Sequence, residues 1–245
     1  MCSKLRFSVI IPAYNEAVLL PRLICTLQCA AAHYTGGAER IEVIVADNGS
    51  TDATAALASA QGCRVVRVER RAIAAARNGG AAVARGEVLC FTDADMQVHP
   101  DTFNAIDRTL RRGDVVGGAT GVRPERWSAG IAATWAIMLP GVWLTGMDTG
   151  VVFCLRTDFA AVGGYDENLL VAEDVKFLFA LTRLGWRTGR RLRRARGAKA
   201  IVSLRKFDKH GDWHQFPTLA RLAWQRLVAP RRFEERVRAY WYEDR

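Results

Sequence analysis

The chain has 245 residues, half of them hydrophobic and 24% charged, which supports a sizeable core and excludes a disordered or fibrous protein. Its formal net charge of +10 is unevenly spread: residues 183–245 hold 18 basic and 6 acidic side chains, against 17 and 19 in residues 1–182. A near-neutral body with a strongly basic C-terminal part points to an anionic partner for that part: phosphate, acidic lipid or nucleic acid.

The first apolar run, 7–12, ends in proline and reads as a buried strand. Met1 to Arg6 leads straight into it, so a secretory signal is not expected. Residues 17–32 place Leu and Ala at helical spacing. A second strand, 41–46, is closed by the turn cluster Asp47-Asn48-Gly49-Ser50, and Thr51 or Asp52 is suited to cap the Ala-rich helix that follows. A third strand (63–68), an Ala-rich helix (73–84), a fourth strand (87–92) and a fifth (115–119) continue the alternation. Such alternation implies an α/β fold, with a mainly parallel sheet and helices on both faces.

After residue 120 the pattern changes to an apolar segment (127–147), a strand-like run (150–155) and a helix (173–184). An Arg-rich stretch (187–196) follows, then two short helices over roughly 213–242 carrying Trp213, Trp224 and Trp241. Residues 130–147 form an 18-residue stretch without charge, near the lower limit for a membrane span. Pro140, Gly141 and Gly146 interrupt it, so it reads as buried or interfacial. The cysteines (Cys2, Cys25, Cys29, Cys63, Cys90, Cys154) form no CxxC pair and mostly sit in apolar runs. They read as buried free thiols of a reducing compartment.

Carboxylates gather at the ends of the expected strands: Asp47 after the second, Asp93 and Asp95 after the fourth. In open α/β sheets ligands bind outside those ends, so one ligand can meet all three. Asp93-Ala94-Asp95 offers hard oxygen ligands to Mg²⁺ or Mn²⁺, which commonly bridge carboxylates to substrate phosphates. The alternative is that both only shape the turn.

Several motifs resemble family 2 glycosyltransferases of GT-A fold. They are Phe7 to Glu16, Val45-Ala46-Asp47-Asn48-Gly49-Ser50-Thr51-Asp52, Ala75-Ala76-Arg77-Asn78-Gly79-Gly80 through to Asp95, Val162-Gly163-Gly164-Tyr165-Asp166-Glu167, and Glu173-Asp174. They occur in the family's order and cover residues 6–185. The resemblance implies an inverting, metal-dependent transferase using a nucleotide sugar, commonly a UDP-sugar. Pro12, Ala13, Tyr14, Glu16 and Asp47 would hold the nucleoside, and Arg77 the diphosphate or the metal-binding aspartates. Asp95 would be the main ligand of Mn²⁺ or Mg²⁺, with Asp93 on ribose or metal. Asp174, or Glu173 beside it, would be the base that takes the acceptor proton. In the basic tail, Arg205 and Lys206 are candidates for the diphosphate. His210 is a candidate third metal ligand, with His214 second.

The chain departs from the family pattern in three ways. Asn48 stands where a second acidic residue is usual, the run Thr149 to Phe153 lacks an Asn common there, and the tail has no QxxRW. A processive polysaccharide synthase is therefore not expected. A nucleotidyltransferase, or a nucleotide-binding protein of the same architecture, is the alternative. The former would usually carry a Gly-rich basic loop where this chain has Ala13-Tyr14-Asn15-Glu16. The expected layout is a GT-A core over 1–185, with about 1–120 for the nucleotide sugar and 121–185 for acceptor and base. A basic extension over 186–245 packs on that core. Six arginines in 187–196, with the tryptophans of the uncharged stretch, suggest a cytoplasmic protein bound peripherally to an anionic membrane face. Its acceptor would be lipid-linked or membrane-proximal, and nucleic acid is not expected as a partner. The competing reading is a buried segment beside an ordinary basic surface.

Overall fold

A computed structural model describes residues 4–145, 148–169 and 172–213. Its strands follow the apolar runs. β1 (Phe7–Ala13) and β4 (Val88–Phe91) are buried along their whole length, as strands covered on both faces must be. From β1 the chain passes through α1 (Leu20–His33) to β2 (Ile41–Asp47), then through α2 (Thr54–Ala60) to β3 (Arg64–Arg67). α3 (Ile73–Ala82) returns it to β4, on the other side of β1. There follow β5 (Met96–Gln97), α4 (Thr102–Leu110), β6 (Val115–Ala119), β7 (Val122–Pro124), α5 (Ala129–Thr145) and β8 (Val152–Leu155). The described chain closes with α6 (Arg156–Val162), α7 (Glu173–Thr188), β9 (Arg191–Arg194), β10 (Ala200–Val202) and α8 (Arg205–His210).

The main sheet has the order β3-β2-β1-β4-β8-β6-β9. β8 runs antiparallel to β4 and β6, and the other neighbours pair in parallel. A small sheet has the order β5-β10-β7. Strand order reverses between β1 and β4, which opens a crevice beyond their C-terminal ends. Pro12 is tolerated in a central strand because β4 stops opposite Ile10, leaving Pro12 paired with β2 alone.

Alternating residues of β1 divide the core between the two faces. Val9 and Ile11 pack with Leu20, Leu23 and Ile24 of α1 and Phe103 of α4. Ile10 lies on the opposite face with Leu89, Phe91, Ala74 of α3, and Phe177 and Leu181 of α7. On that face α3 approaches closely, since a Cβ on Gly80 would come within 2.5 Å of the Ile10 methyl.

The described residues form two compact units, those within 1–123 and 146–202 and those within 124–145 and 203–245. The sheet therefore runs past residue 185, where the composition changes. The Arg-rich stretch supplies β9, an edge strand, and several of its charges are neutralised by carboxylates of the same unit. Arg190 pairs with Asp158 at 2.7 Å, Arg193 with Asp114, and Arg194 with Asp148. Charged side chains on an edge strand also discourage pairing with other chains.

Two other expectations change, and a third, that the uncharged stretch does not span a membrane, holds among the described residues. Helix α1 starts at Leu20, not at residue 17, because Asn15 and Ala17 are tied to the loop after β2. Cys63, Cys90 and Cys154 are buried, but Cys25 and Cys29 are exposed on α1, where the helix turns Leu23, Ile24 and Leu27 inward instead. The uncharged stretch forms α5, 17 residues long, or about 25 Å against the ~30 Å of a bilayer core. Among the described residues no helix is long and apolar enough to cross a membrane. The helices expected over 213–242, with His214, Trp224 and Trp241, lie outside the described residues apart from Trp213.

Candidate active site

The loops after β1 and β2 are fastened together. The Asn15 amide donates to Ser50 Oγ (3.1 Å) and the Thr51 amide to Asn15 Oδ1 (2.9 Å). The Glu16 amide donates to Thr54 Oγ1 (2.9 Å), and the Ala17 amide to Asp52 Oδ2 (3.1 Å). Asn15 takes a positive φ of 51° to make this turn, a conformation Asn tolerates better than most residues. Glu16 is 2% exposed and its carbonyl accepts the Leu20 amide that starts α1. Asp47 is also buried, and its Oδ1 accepts the Ser50 amide at 3.1 Å. Pro12 and Ala13 end β1, and the Arg71 guanidinium lies 3.9 Å over the Tyr14 ring. The expected nucleoside-side residues thus share one end of the sheet.

Asn48 has a structural use. Its side-chain amide donates to the carbonyls of Val68 (3.0 Å) and Arg70 (2.7 Å), fixing the chain after β3. A carboxylate cannot donate there, which accounts physically for the amide.

The centre of the site is Arg77. It lies in α3, is 4% exposed, and reaches three carboxylates from two other segments. Nη1 donates to Asp174 Oδ1 (2.7 Å) and Glu173 Oε1 (3.0 Å), and Nη2 to Asp93 Oδ1 (2.9 Å). Its guanidinium sits 5.1 Å from the Tyr165 ring centroid. Burial pulls the Arg77 pKa down, but the surrounding negative groups, Asp174 and Asp93 foremost, more than offset this and hold it well above the ordinary value. Burial raises the pKa of both Glu173 and Asp174; Arg77 pulls each back only in part. Asp174 is therefore a stronger proton acceptor than an ordinary carboxylate while remaining partly accessible, its side chain 35% exposed against 11% for Glu173.

The Asp93-to-Asp95 turn is tight, with the Met96 amide on the Asp93 carbonyl (3.2 Å). Asp93 and Asp95 are both half-buried there. Around them, Asn78 holds the loop after α6: its Oδ1 accepts the Tyr165 amide and its Nδ2 donates to the Tyr165 carbonyl, both at 2.9 Å. Gly163 and Gly164 supply the positive φ values, 78° and 73°, that turn this loop. Tyr165 packs in a cluster with Phe91, Phe159 and Phe177.

Arg77, Asp93 and Asp174 are thus brought together as the motifs implied. Asn78, Tyr165 and the third carboxylate on Arg77, Glu173, complete the arrangement. Asn78 and Tyr165 lie within the Asn-Gly-Gly and Gly-Gly-Tyr motifs, which carry no signal of these contacts in the sequence alone. Arg205, Lys206 and His210 lie in α8, in the other unit, and the side chains of Lys206 and His210 are not among those described. Among the described residues no group of three His, Cys, Asp or Glu could hold a metal alone.

The switch-point crevice belongs to a fold that the chain shares with solved GT-A glycosyltransferases. A mannosyltransferase from Pyrobaculum calidifontis, in complex with GDP-Man and Mn²⁺, matches with a TM-score of 0.62 at 21% identity, covering 81% of this chain and 57% of that one. S. aureus TarS 1-349, in complex with UDP-GlcNAc, matches with a TM-score of 0.58 at 20% identity, covering 82% and 56%. The chain belongs to glycosyl transferase family 2, whose family model matches residues 8–143. One relative is an undecaprenyl-phosphate 4-deoxy-4-formamido-L-arabinose transferase of Pseudomonas paraeruginosa, 36% identical over 118 residues, 45% of this chain and 34% of the relative. Another is a validoxylamine A glucosyltransferase of Streptomyces hygroscopicus, 36% identical over 105 residues, 40% and 24% respectively. The matches thus span about a quarter to a third of these relatives.

Proposed function

We propose that this chain transfers a sugar from a nucleotide-sugar donor, a UDP-sugar foremost, to an acceptor hydroxyl with inversion, with a divalent cation as cofactor. One observation carries the reading: a single buried guanidinium joins the strand-end Asp93 to Asp174 at the start of α7. Donor-side and acceptor-side carboxylates are thereby held in register. Glu16, Asp47 and the Tyr14–Arg71 pair supply the nucleoside end.

The residues present suit Mn²⁺ or Mg²⁺. With no three-residue protein cage among the described residues, Asp95 and Asp93 would supply one or two carboxylates. The donor phosphates and water would complete the shell, as such ions commonly require. When bound, the cation stabilises the charge that develops on the leaving nucleoside diphosphate. Arg205 and Lys206 for the diphosphate, and His210 for the cation, remain part of this proposal.

Arg77 engages Oδ1 of Asp174, and the Asp174 carboxylate takes the acceptor proton. An oxygen lone pair of the acceptor forms the new bond to the anomeric carbon. The bond to the diphosphate oxygen breaks with its electron pair, and the acceptor proton passes to Asp174. With one base and no enzyme nucleophile the displacement is single, hence the inversion.

For the acceptor we propose a lipid-linked or membrane-proximal molecule, met at the cytoplasmic face of a membrane. Two observations support it: the undecaprenyl-phosphate transferase relatives, and the outer face of α7. There Val175, Phe179 and Trp186 are 45%, 55% and 79% exposed, beside a row of Lys176, Arg183 and Arg187 at helical spacing. An apolar stripe flanked by cations suits an anionic membrane interface.

The test is thermal unfolding with a panel of nucleotide sugars, with and without Mn²⁺. A ligand at a hundred times its Kd stabilises by about 2.7 kcal/mol. One nucleotide sugar should raise the Tm only with Mn²⁺, and Asp95→Ala should lose that rise while melting normally. Unchanged affinity and metal dependence in Asp95→Ala would reject the metal assignment. Product of retained anomeric configuration, read by NMR, would reject single displacement.

A further inference from the structure

Five arginines line one cleft of about 530 Å³ on the first unit. Arg108 and Arg112 come from α4 and the turn after it, and Arg193, Arg194 and Arg196 from β9 and beyond; Ala105, Thr109 and Leu192 complete the lining. Three carboxylates partner these cations. Asp101 holds Arg108 at 2.6 Å, Asp148 holds Arg194, and Asp114 pairs with Arg193 and lies 3.8 Å from Arg112. Arg196 is exposed and makes no ion pair among the described residues. Five cations face three carboxylates, so the cleft carries an excess of two positive charges.

This excess is not explained by stability. Partly exposed ion pairs contribute roughly 0–1 kcal/mol each, and like charges gathered in one cleft repel. Protection of the sheet edge would account for Arg193 and Arg194 on β9, but not for Arg108 on α4 and Arg112 in the turn after it. The carboxylates also orient the guanidiniums: Asp101 and Asp114 fix cations on the two walls. Planar guanidiniums converging from two sides suit a tetrahedral oxyanion, which accepts paired N–H bonds.

The cleft is apart from the donor crevice. β9 is three strands from β4 in the sheet, roughly 14 Å at the usual strand spacing. Arg193 shares its face of β9 with Ala195, which packs in the cluster containing Phe103 and Ala105 of α4. Helix α7, which Asp174 opens, packs on the opposite face.

We propose that the cleft between α4 and β9 is a second anion site that binds a phosphate group. The phosphate belongs either to a lipid headgroup or to a soluble phosphorylated molecule. The proposal does not rest on the glycosyl-transfer reading, because no donor-site residue lines the cleft.

The test measures inorganic phosphate binding by calorimetry in metal-free buffer, using the full chain, Asp95→Ala, and the double variant Arg112→Ala/Arg196→Ala. Arg112 and Arg196 are exposed, so the double variant should fold. Phosphate should bind the full chain and Asp95→Ala alike, and at least ~10-fold more weakly to the double variant, since charge-assisted hydrogen bonds are the strong ones. Phosphatidylcholine vesicles carrying phosphatidic acid identify the source. Vesicle binding that the double variant loses and free phosphate competes away assigns a lipid headgroup. Phosphate binding lost in the double variant, with vesicle binding unaffected or absent, assigns a soluble phosphate. Phosphate affinity unchanged in the double variant, lost in Asp95→Ala, or absent from the full chain would overturn the proposal.

Discussion

Replacing Arg77 by methionine keeps the bulk of the side chain and removes its charge. The side chains left behind are those of Asp93, Glu173 and Asp174, which are 43%, 11% and 35% exposed. Removing one partner of a fully buried ion pair costs about 3–5 kcal/mol. Two of these carboxylates reach solvent and are partly screened, so the lower figure, about 3 kcal/mol, applies at neutral pH. For a chain of this size that lowers the Tm by roughly 6–12 °C. The cost depends on pH. Glu173 and Asp174 already have pKa values raised above the ordinary 4.5 and 3.8, and loss of Arg77 raises them further. A group with a raised folded-state pKa stabilises fully below its unfolded value and loses that contribution as pH rises through the folded value. The penalty should therefore be smallest near pH 4 and grow toward neutrality. Urea unfolding of Arg77→Met and the parent across this range measures it. A loss under about 1 kcal/mol at pH 7, or one unchanged from acid to neutral pH, would refute the electrostatic account of the cluster.

Asp174→Asn should retain donor binding and lower transfer by roughly a hundredfold or more; near-normal turnover would move the base to Glu173. Asn48→Asp should destabilise by about 1–3 kcal/mol, because the carbonyls of Val68 and Arg70 lose their donor; a thermal melt equal to the parent's would contradict this. Native-state alkylation followed by mass spectrometry should modify Cys25 and Cys29 rapidly. Cys63, whose burial pushes its pKa up to about 11, and the buried Cys90 and Cys154 should react only on unfolding. Fast labelling of Cys90 would contradict the described core.

The strands β1, β2 and β4 are legible because each is a short apolar run rich in β-branched or aromatic residues and bounded by turn residues, and β6 because Val115 and Val116 open a short uncharged run after a turn. The site motifs are legible for the same reason: strand ends fix where Asp47, Asp93 and Asp95 can lie. β9 is not legible. Arg191-Leu192-Arg193-Arg194 reads as surface charge until β6 pairs with it and Asp114 neutralises Arg193. Strands β5, β7 and β10 have two or three residues each, too few to show a period. The antiparallel sense of β8 is set by its partners, and no local pattern encodes it. The meeting of Arg77 with Glu173 and Asp174 spans 96 and 97 positions, so sequence reading could name the members without showing that one guanidinium serves all of them.

The place of β8 has a consequence for assembly during synthesis. It fills the gap between β4 and β6, yet it follows both in the chain, after the whole of α5. Until residue 155 is made, β4 lacks a neighbour on one side and β6, whose other partner β9 comes later still, lacks both, so backbone edges stand unpaired. Such edges are templates for pairing with other chains. Asp174, emerging later still, joins Arg77 only after this seam has closed. A nascent chain halted between β6 and β8 therefore carries unpaired strand edges and lacks Asp174; β8 closes the seam, and α7 and β9 then complete the carboxylate cluster and the sheet.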